Sequence, residues 1–339
     1  MKKSPEVFDR LGPIFARADV RRPHRFSRPS LRAGAAELRA VRAILKSGWV
    51  SNGEWVRRLE QHFMEKFGVK HAIATSNCTQ ALVIAIRAAG LAGARVALPA
   101  FTWPSSLYGL LLNHCTPVFA DIDPESWLID LGTVRGKYDA VLAVDTFGNA
   151  ASVKTKVPVI YDAAHGYGLP RLGRRGRAEA VSLSFTKLPT AGEGGMILTN
   201  DADVAREAIE LRRLSARMLE FAGILAANSI AHYDENHLKR LQVIERYRKL
   251  LRVPHVEQTV PRATNHSVYA IALADTATRD RAHAALAEAG FETKIYYDPL
   301  ARKLPVTEAV YARILALPAY PQMLGKVGRI CAIVNRAAR

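Results

Sequence analysis

Apolar residues recur at helical spacing over 34–46, and Ser47-Gly48 then stops that helix and opens a loop. A second helix is predicted over 54–67. Beyond it short apolar runs and helical patterns alternate: strand 71–75, helix 79–89, strand 95–99 and helix 105–113. Further strands are expected at 116–121, 140–145, 157–161, 180–184 and 196–200. Strands alternating with helices imply an α/β fold with a largely parallel sheet, whose ligands gather beyond the carboxyl ends of its strands. From about 205 the pattern is helical to about 251, then mixed, with strands expected at 267–272 and 292–296. These shifts predict an N-terminal extension over 1–25, a large domain over 26–212 and a smaller α+β C-terminal domain over 213–339.

At 339 residues and 49% hydrophobic, the chain can bury a substantial core. No uninterrupted apolar run reaches the roughly 18 residues needed to span a bilayer. The opening Met-Lys-Lys-Ser-Pro-Glu-Val-Phe-Asp lacks a signal peptide's apolar stretch, so a cytoplasmic location is expected. Cys78, Cys115 and Cys331 are odd in number and far apart, which predicts reduced thiols and no metal site. The net charge of +17 would attract any polyanion or an anionic metabolite. Its basic runs, 171–177 and 239–252, lack the interleaved aromatics of single-strand binders, so solvated faces account for most of it and no nucleic-acid partner is expected.

The candidate chemistry sits at strand ends. Ser182-Leu-Ser-Phe-Thr-Lys187 delivers a lone amine into the glycine-rich turn that follows, and Val157-Pro-Val-Ile-Tyr-Asp162 ends a strand in an acid. An amine that can form a Schiff base and a carboxylate that can keep a pyridine nitrogen protonated are the pair a pyridoxal phosphate enzyme requires. Taken alone, Asp162 reads more readily as a helix cap and Lys187 as a solvated loop charge. Ser76-Asn-Cys-Thr-Gln80 follows a strand and starts a helix, a place where amides and the helix dipole hold either a phosphate or a plain N-cap. Period-two alternation aims Ser182 and Ser184 to one side of their strand.

These segments, with 47–53, 99–103, 117–124 and 304–308, occur in the order found in the DegT/DnrJ/EryC1/StrS sugar aminotransferases, which the chain resembles from about Phe26 to Met323. Asp123-Pro-Glu-Ser-Trp127 and the Glu193 turn look most similar to the perosamine-synthase branch. The resemblance implies the fold of the type I pyridoxal phosphate enzymes and transfer of an amino group from glutamate to a keto sugar, a nucleotide-linked 4-keto-6-deoxy hexose being the leading acceptor. Amino-sugar synthesis for O-antigen or another polysaccharide would be its setting. It further implies that Lys187 forms the Schiff base and that Asp162 pairs with the ring nitrogen. Thr79, Gln80 and Ser182 would hold the phosphate, Trp103 stack on the ring and His165 approach the phenolic oxygen. Glu193 and Arg217 would face substrate, and the site would lie across a homodimer interface.

The chain also departs from the family. Cys78 stands where glycine is usual, Ser215-Ala216 precede Arg217-Met218 where a tyrosine and asparagine loop is usual, and 200–217 and 299–304 are short. The short segments point to a further alternative, the same scaffold acting on an acceptor other than a standard nucleotide sugar. Two other readings stand beside it: a dehydratase of the same fold, in which histidine replaces the lysine, and a basic non-catalytic binding protein on an aminotransferase scaffold. Lys187 argues against the first. The intact set of Lys187, Asp162, Ser182 and Trp103 argues against the second.

Overall fold

The computed structural model describes residues 24–32 and 34–337. The extension expected over 1–25 lies outside these, apart from its last two residues. Seven strands form one mixed sheet: β1 (His71–Thr75), β2 (Arg95–Pro99), β3 (Thr116–Ala120), β4 (Ala140–Val144), β5 (Val159–Asp162), β6 (Ala178–Ser182) and β7 (Gly195–Thr199). Their spatial order is β1-β7-β6-β5-β4-β2-β3. Only β7 runs against its neighbours, β1 and β6. The carboxyl ends of the other six therefore share one edge, and β7 begins there.

Helices cover both faces of the sheet with apolar side chains. On one side α3 (Cys78–Ala88), α4 (Pro104–Leu112) and α5 (Ala202–Ser215) bury Ile73, Leu82, Leu98, Leu110 and Ile197 in a single core. On the other, α2 (Glu54–Phe67) places Val56, Leu59 and Phe63 against Val181, Met196 and Leu198. The outer helices α1 (Ala35–Ser47) and α6 (Glu220–Ala231) meet through Ala40, Ile44 and Ile224. Glu220 is 2% exposed, and its carboxylate accepts from the amides of Gly53, Trp55 and Val56, capping α2 from outside that helix. Three donors aimed at one carboxylate explain a charge buried so deeply.

A second core gathers α7 (Tyr233–Leu250), α8 (Thr276–Glu288) and α10 (Val327–Ala337) around β8 (His255–Glu257), β9 (Tyr269–Leu273) and β10 (Ile314–Leu317). Helix α9 (Pro305–Arg313) ties this layer to the first, because Asp121, just past β3, accepts from the amides of Val306 and Thr307 and the hydroxyl of Thr307. The long helical stretch after 205 is three helices, with Asp201 capping the first through the amides of Asp203 and Val204. The strand expected at 292–296 is absent. That segment makes one single bridge, Lys294 to Ala316, and Phe291 just before it makes another, to His24. Tyr296 and Tyr297 then leave the sheet direction to pack on Phe101, Trp103 and Phe147.

Candidate active site

Asp162 closes β5 and is 4% exposed. Its Oδ2 accepts from Ser106 Oγ at 2.6 Å and its Oδ1 from the amide of Ala164 at 3.1 Å. Ser106 Oγ lies 2.9 Å from Thr102 Oγ1, so a buried relay of hydroxyls runs from the start of α4 to the acid. Burial raises the Asp162 carboxyl above the ordinary range, while Ser106, the Ala164 amide and the charge of Lys187 pull it down. No cation among the described residues forms an ion pair with this carboxylate.

Past β6 the chain turns, with the Lys187 amide donating to Ser184 O at 2.9 Å, and the side chain reaches back so that Nζ lies 3.0 Å from His165 Nε2. Enclosure by protein lowers the Lys187 amine to about 8, against the opposing pull of Cys78, Asp162 and Glu193. His165 Nδ1 is 2.8 Å from Ser267 Oγ, and Asn265 Nδ2 donates to the carbonyls of His165 and Tyr167. Burial, then Lys187 and Arg240, hold the imidazole well below its ordinary value. A protonated Lys187 must donate to Nε2, so the neutral ring carries its hydrogen on Nδ1 and donates it to Ser267.

At the head of α3, Asn77 Oδ1 accepts from the amide of Gln80 at 2.9 Å, the plain cap that the sequence leaves open. That amide is thereby occupied, and Thr79 Oγ1 lies 2.9 Å from Ser105 Oγ across from the head of α4. Ser182 is 5% exposed at the end of β6, and its Oγ accepts from the Ser184 amide at 3.3 Å. Gly195 has its Cα so close to this corner that a Cβ would stand 2.5 Å from Asn77 O and 2.6 Å from Thr75 Oγ1. Glycine is required there. Trp103 immediately precedes α4, is 43% exposed and meets Tyr296 and Tyr297 edge-on. Exposed Glu193 sits close enough to Lys187 for their charges to interact. Arg217 stands apart: it is exposed, and its Nε donates to Arg213 O.

The structure thus gathers Asp162, His165, Lys187 and Glu193 at one edge of the sheet, with Thr79, Ser182 and Trp103 at neighbouring element ends. Ser106, Asn265 and Ser267 complete the arrangement without having been singled out in the sequence. Ser106 could have been found as the residue four past Thr102 on a helix opening beside a strand-end acid. Asn265 and Ser267 arrive from the second layer, about 100 positions away, and carry no local signal.

The family model of the DegT/DnrJ/EryC1/StrS aminotransferase family matches residues 32–335. Among solved structures, DesI in the presence of its TDP-sugar product is similar at 28% identity, with 92% of each chain covered and a TM-score of 0.83. A DegT DnrJ EryC1 StrS aminotransferase from Brucella abortus is similar at 25% identity over 88% of this chain and 94% of that one, TM-score 0.76. Helicobacter pylori PseC, an aminotransferase involved in the biosynthesis of pseudoaminic acid, shares the fold at 20% identity over 92% and 98%, TM-score 0.83. The chain belongs to the DegT/DnrJ/EryC1/StrS aminotransferase family. It is accordingly a pyridoxal phosphate-dependent enzyme of the sugar aminotransferase class.

The residues present fit that cofactor. A buried carboxylate held by neutral donors and lacking a cation is the partner a protonated pyridine nitrogen needs. A lysine whose amine is lowered to about 8 loses its proton more readily near neutral pH than an ordinary lysine, as Schiff-base formation requires. No helix among the described residues is long and apolar enough to cross a membrane.

Proposed function

We propose that the protein transfers an amino group from glutamate to a keto sugar, with a nucleotide-linked 4-keto-6-deoxy hexose as the acceptor and Lys187 as the catalytic amine. The observation that carries this reading is the pairing of a lowered Lys187 amine with a buried, cation-free Asp162 across one sheet edge. When bound, pyridoxal phosphate supplies an electron-accepting ring and the carbon that carries the amino group between two half-reactions.

Every other step is assigned to the chain. Asp162, fixed by Ser106 and the Ala164 amide, would hold a proton on the ring nitrogen by its negative charge. Thr79 and Ser182, with the side chain of Gln80, would hold the phosphate at the head of α3. Trp103, braced edge-on by Tyr296 and Tyr297, would cover the ring face. Lys187 would take a proton from the donor's α carbon and return one to the acceptor, with neutral His165 beside its Nζ at 3.0 Å keeping that amine oriented.

For substrate, Glu193 is supported by its place near Lys187, and Arg217 would have to act across a subunit boundary. A homodimer is supported by the exposed apolar side chains Trp49, Phe185, Leu214 and Leu219. The basic surface suits an acceptor carrying two phosphates.

The test is spectroscopic. Wild-type protein incubated with pyridoxal phosphate should be yellow, retain the colour through dialysis and lose it when glutamate is added. Lys187→Ala should never acquire that lysine-dependent band, and retention of the band would refute the assignment. A panel of keto sugars offered with glutamate, read by mass spectrometry, then identifies the acceptor.

A further inference from the structure

Helices α2, α6 and α7 line a cavity of about 440 Å³ whose walls include neither Lys187 nor Asp162. That volume lies in the range of small-molecule sites. Trp55, Leu59, Ile230 and Tyr233 give it an apolar, aromatic wall. Arg58, His62 and Lys66 line it too, at the four-residue spacing that puts them on one face of α2. Asp234, in the first turn of α7, is the one acid among the described residues of the lining.

The three basic groups are not equivalent. Arg58 is met by Glu54 and lies 5.2 Å from the centre of the Trp55 ring. His62 Nε2 is 2.9 Å from Tyr167 Oη, and burial, then the charge of Lys66, lowers its imidazole, which is therefore neutral at pH 7. Lys66 is exposed, and no carboxylate among the described residues pairs with it. Its Nζ lies 5.6 Å and 5.8 Å from the ring centres of Tyr167 and Tyr233, which orient that ammonium without neutralising it. Arg174 adds to the positive field, because its Nη1 would stand 3.7 Å from a Cβ at Gly68, the residue that caps α2. A cation in the last turn of a helix is ordinarily accounted for by the helix dipole. The dipole does not account for a hollow with an aromatic wall on one side and an acid on another.

We propose that this cavity binds a nucleoside monophosphate, with the phosphate at Lys66, the base along Trp55 and Leu59, and the ribose at Asp234. Length supports the pairing. Seven residues of α2 separate Leu59 from Lys66, about 10 Å at roughly 1.5 Å per residue, the span of a base, a ribose and one phosphate. An aromatic carboxylate would use the wall and Lys66 but leave Asp234 without a donor, and a free phosphate would leave the wall uncovered. A ribose brings hydroxyl donors to that carboxylate, the contact by which an acid marks a ribose in dinucleotide sites. Tyr233 also lines the small cavity beside Lys187, so a nucleotide held here lies across that ring from the reacting amine. The site therefore goes beyond the transfer reaction and is separate from any nucleotide carried by the acceptor.

Calorimetric titration of the holoenzyme with uridine, adenosine and guanosine monophosphates tests the site. At least one should bind with a Kd below about 1 mM, and about tenfold or more tightly than its nucleoside or inorganic phosphate. Lys66→Glu should weaken that nucleotide by about tenfold or more. Lys70→Glu, equally exposed but outside the lining, should change it by less than about twofold. Trp55→Ala should weaken it as well, and Asp234→Asn should remove the preference for the nucleotide over its 2′-deoxy form. Both lysines are exposed, so their comparison stays decisive if Trp55→Ala does not fold. Failure of all three nucleotides to bind, an affinity unchanged in Lys66→Glu, or equally tight binding of inorganic phosphate would overturn the site. Displacement of the nucleotide by the keto-sugar acceptor would place it at the catalytic edge and overturn the site too, while leaving the aminotransferase reading intact.

Discussion

Two acids end adjacent parallel strands, and they are treated oppositely. Asp145 follows β4 and Asp162 ends β5, close enough that the Asp145 amide donates to Asp162 O at 3.0 Å. Asp145 is gripped by Arg175 through two hydrogen bonds, 2.9 Å and 2.7 Å, and also accepts from the Ala151 amide. Arg175 in turn donates to Glu179 and lies 4.5 Å from the Tyr161 ring centre. Asp162, equally buried, has hydroxyl and amide donors and no cation. The first carboxylate is neutralised in place and holds the sheet edge together. The second is hydrogen-bonded by dipoles only, with the charge of Lys187 nearby but not paired to it, so its charge remains available to a cationic ring nitrogen. A fold that can supply an arginine one strand away and withholds it here has left room for a ligand to bring the charge.

The largest effect expected from that contrast is on activity. Asp162→Asn keeps the shape and one acceptor oxygen for the Ala164 amide, with Ser106 Oγ turning to accept from the new NH2, but removes the negative charge, so the ring nitrogen loses its reason to stay protonated. Turnover should fall by about three or more orders of magnitude, in the range where a single electrostatic group commonly acts. Thermal stability of the cofactor-free protein should hold or rise, because a buried uncompensated charge has been removed. A cofactor-free variant that melts well below wild type would show that Asp162 is structural, like its neighbour.

Arg175→Leu is the converse. It leaves Asp145 and Glu179, both 0% exposed, facing each other without their shared cation. Breaking a buried pair by deleting one partner costs about 3–5 kcal/mol, so chemical denaturation should show a loss of that size. Burial already raises the Glu179 carboxyl against the pull of Arg175. Without the arginine it should rise further, so the loss should be greater at high pH, where both acids must ionise, and smaller as pH falls and one takes up a proton. A stability loss below about 1 kcal/mol would mean that water reaches these acids and that the contrast with Asp162 is not one of burial.

Much of this was readable from the chain. The strand-end positions of Asp162 and Lys187 follow from apolar runs that stop at an acid and a glycine-rich turn, and the structure brings both to one edge. Their relation to each other was legible because a parallel sheet puts successive carboxyl ends side by side. What was hidden is long-range pairing. Glu179 sits within β6, where a charge would argue against a strand, and only Arg175 accounts for it. The 292–296 strand failed because Tyr296 and Tyr297 are drawn into the aromatic cluster behind Trp103, a pull that period-two alternation cannot register. Lys66 and Asp234 read as ordinary polar positions of their helices, since nothing local says that a cavity lies between them.

Ser106 sharpens the comparison at its weakest point, since its hydroxyl takes the place near Asp162 that a guanidinium takes near Asp145. Ser106→Ala removes the 2.6 Å donor from Oδ2 and leaves Thr102 Oγ1 facing a void. A hydrogen bond to a charged group contributes about 1.5–3 kcal/mol, so cofactor affinity should fall by about tenfold or more. The pH response has a definite sign. Ser106 opposes the upward push of burial on the Asp162 carboxyl, so its loss moves protonation to higher pH. The acid must be ionised to hold a cationic ring, so affinity should decline at a higher pH in the variant than in wild type as pH is lowered. Ser106→Thr keeps the hydroxyl and should restore both the affinity and the pH at which it declines. If Ser106→Ala weakens binding equally at every pH and threonine does not restore it, the residue merely fills space, and Asp162 owes its ionised state to the cofactor alone.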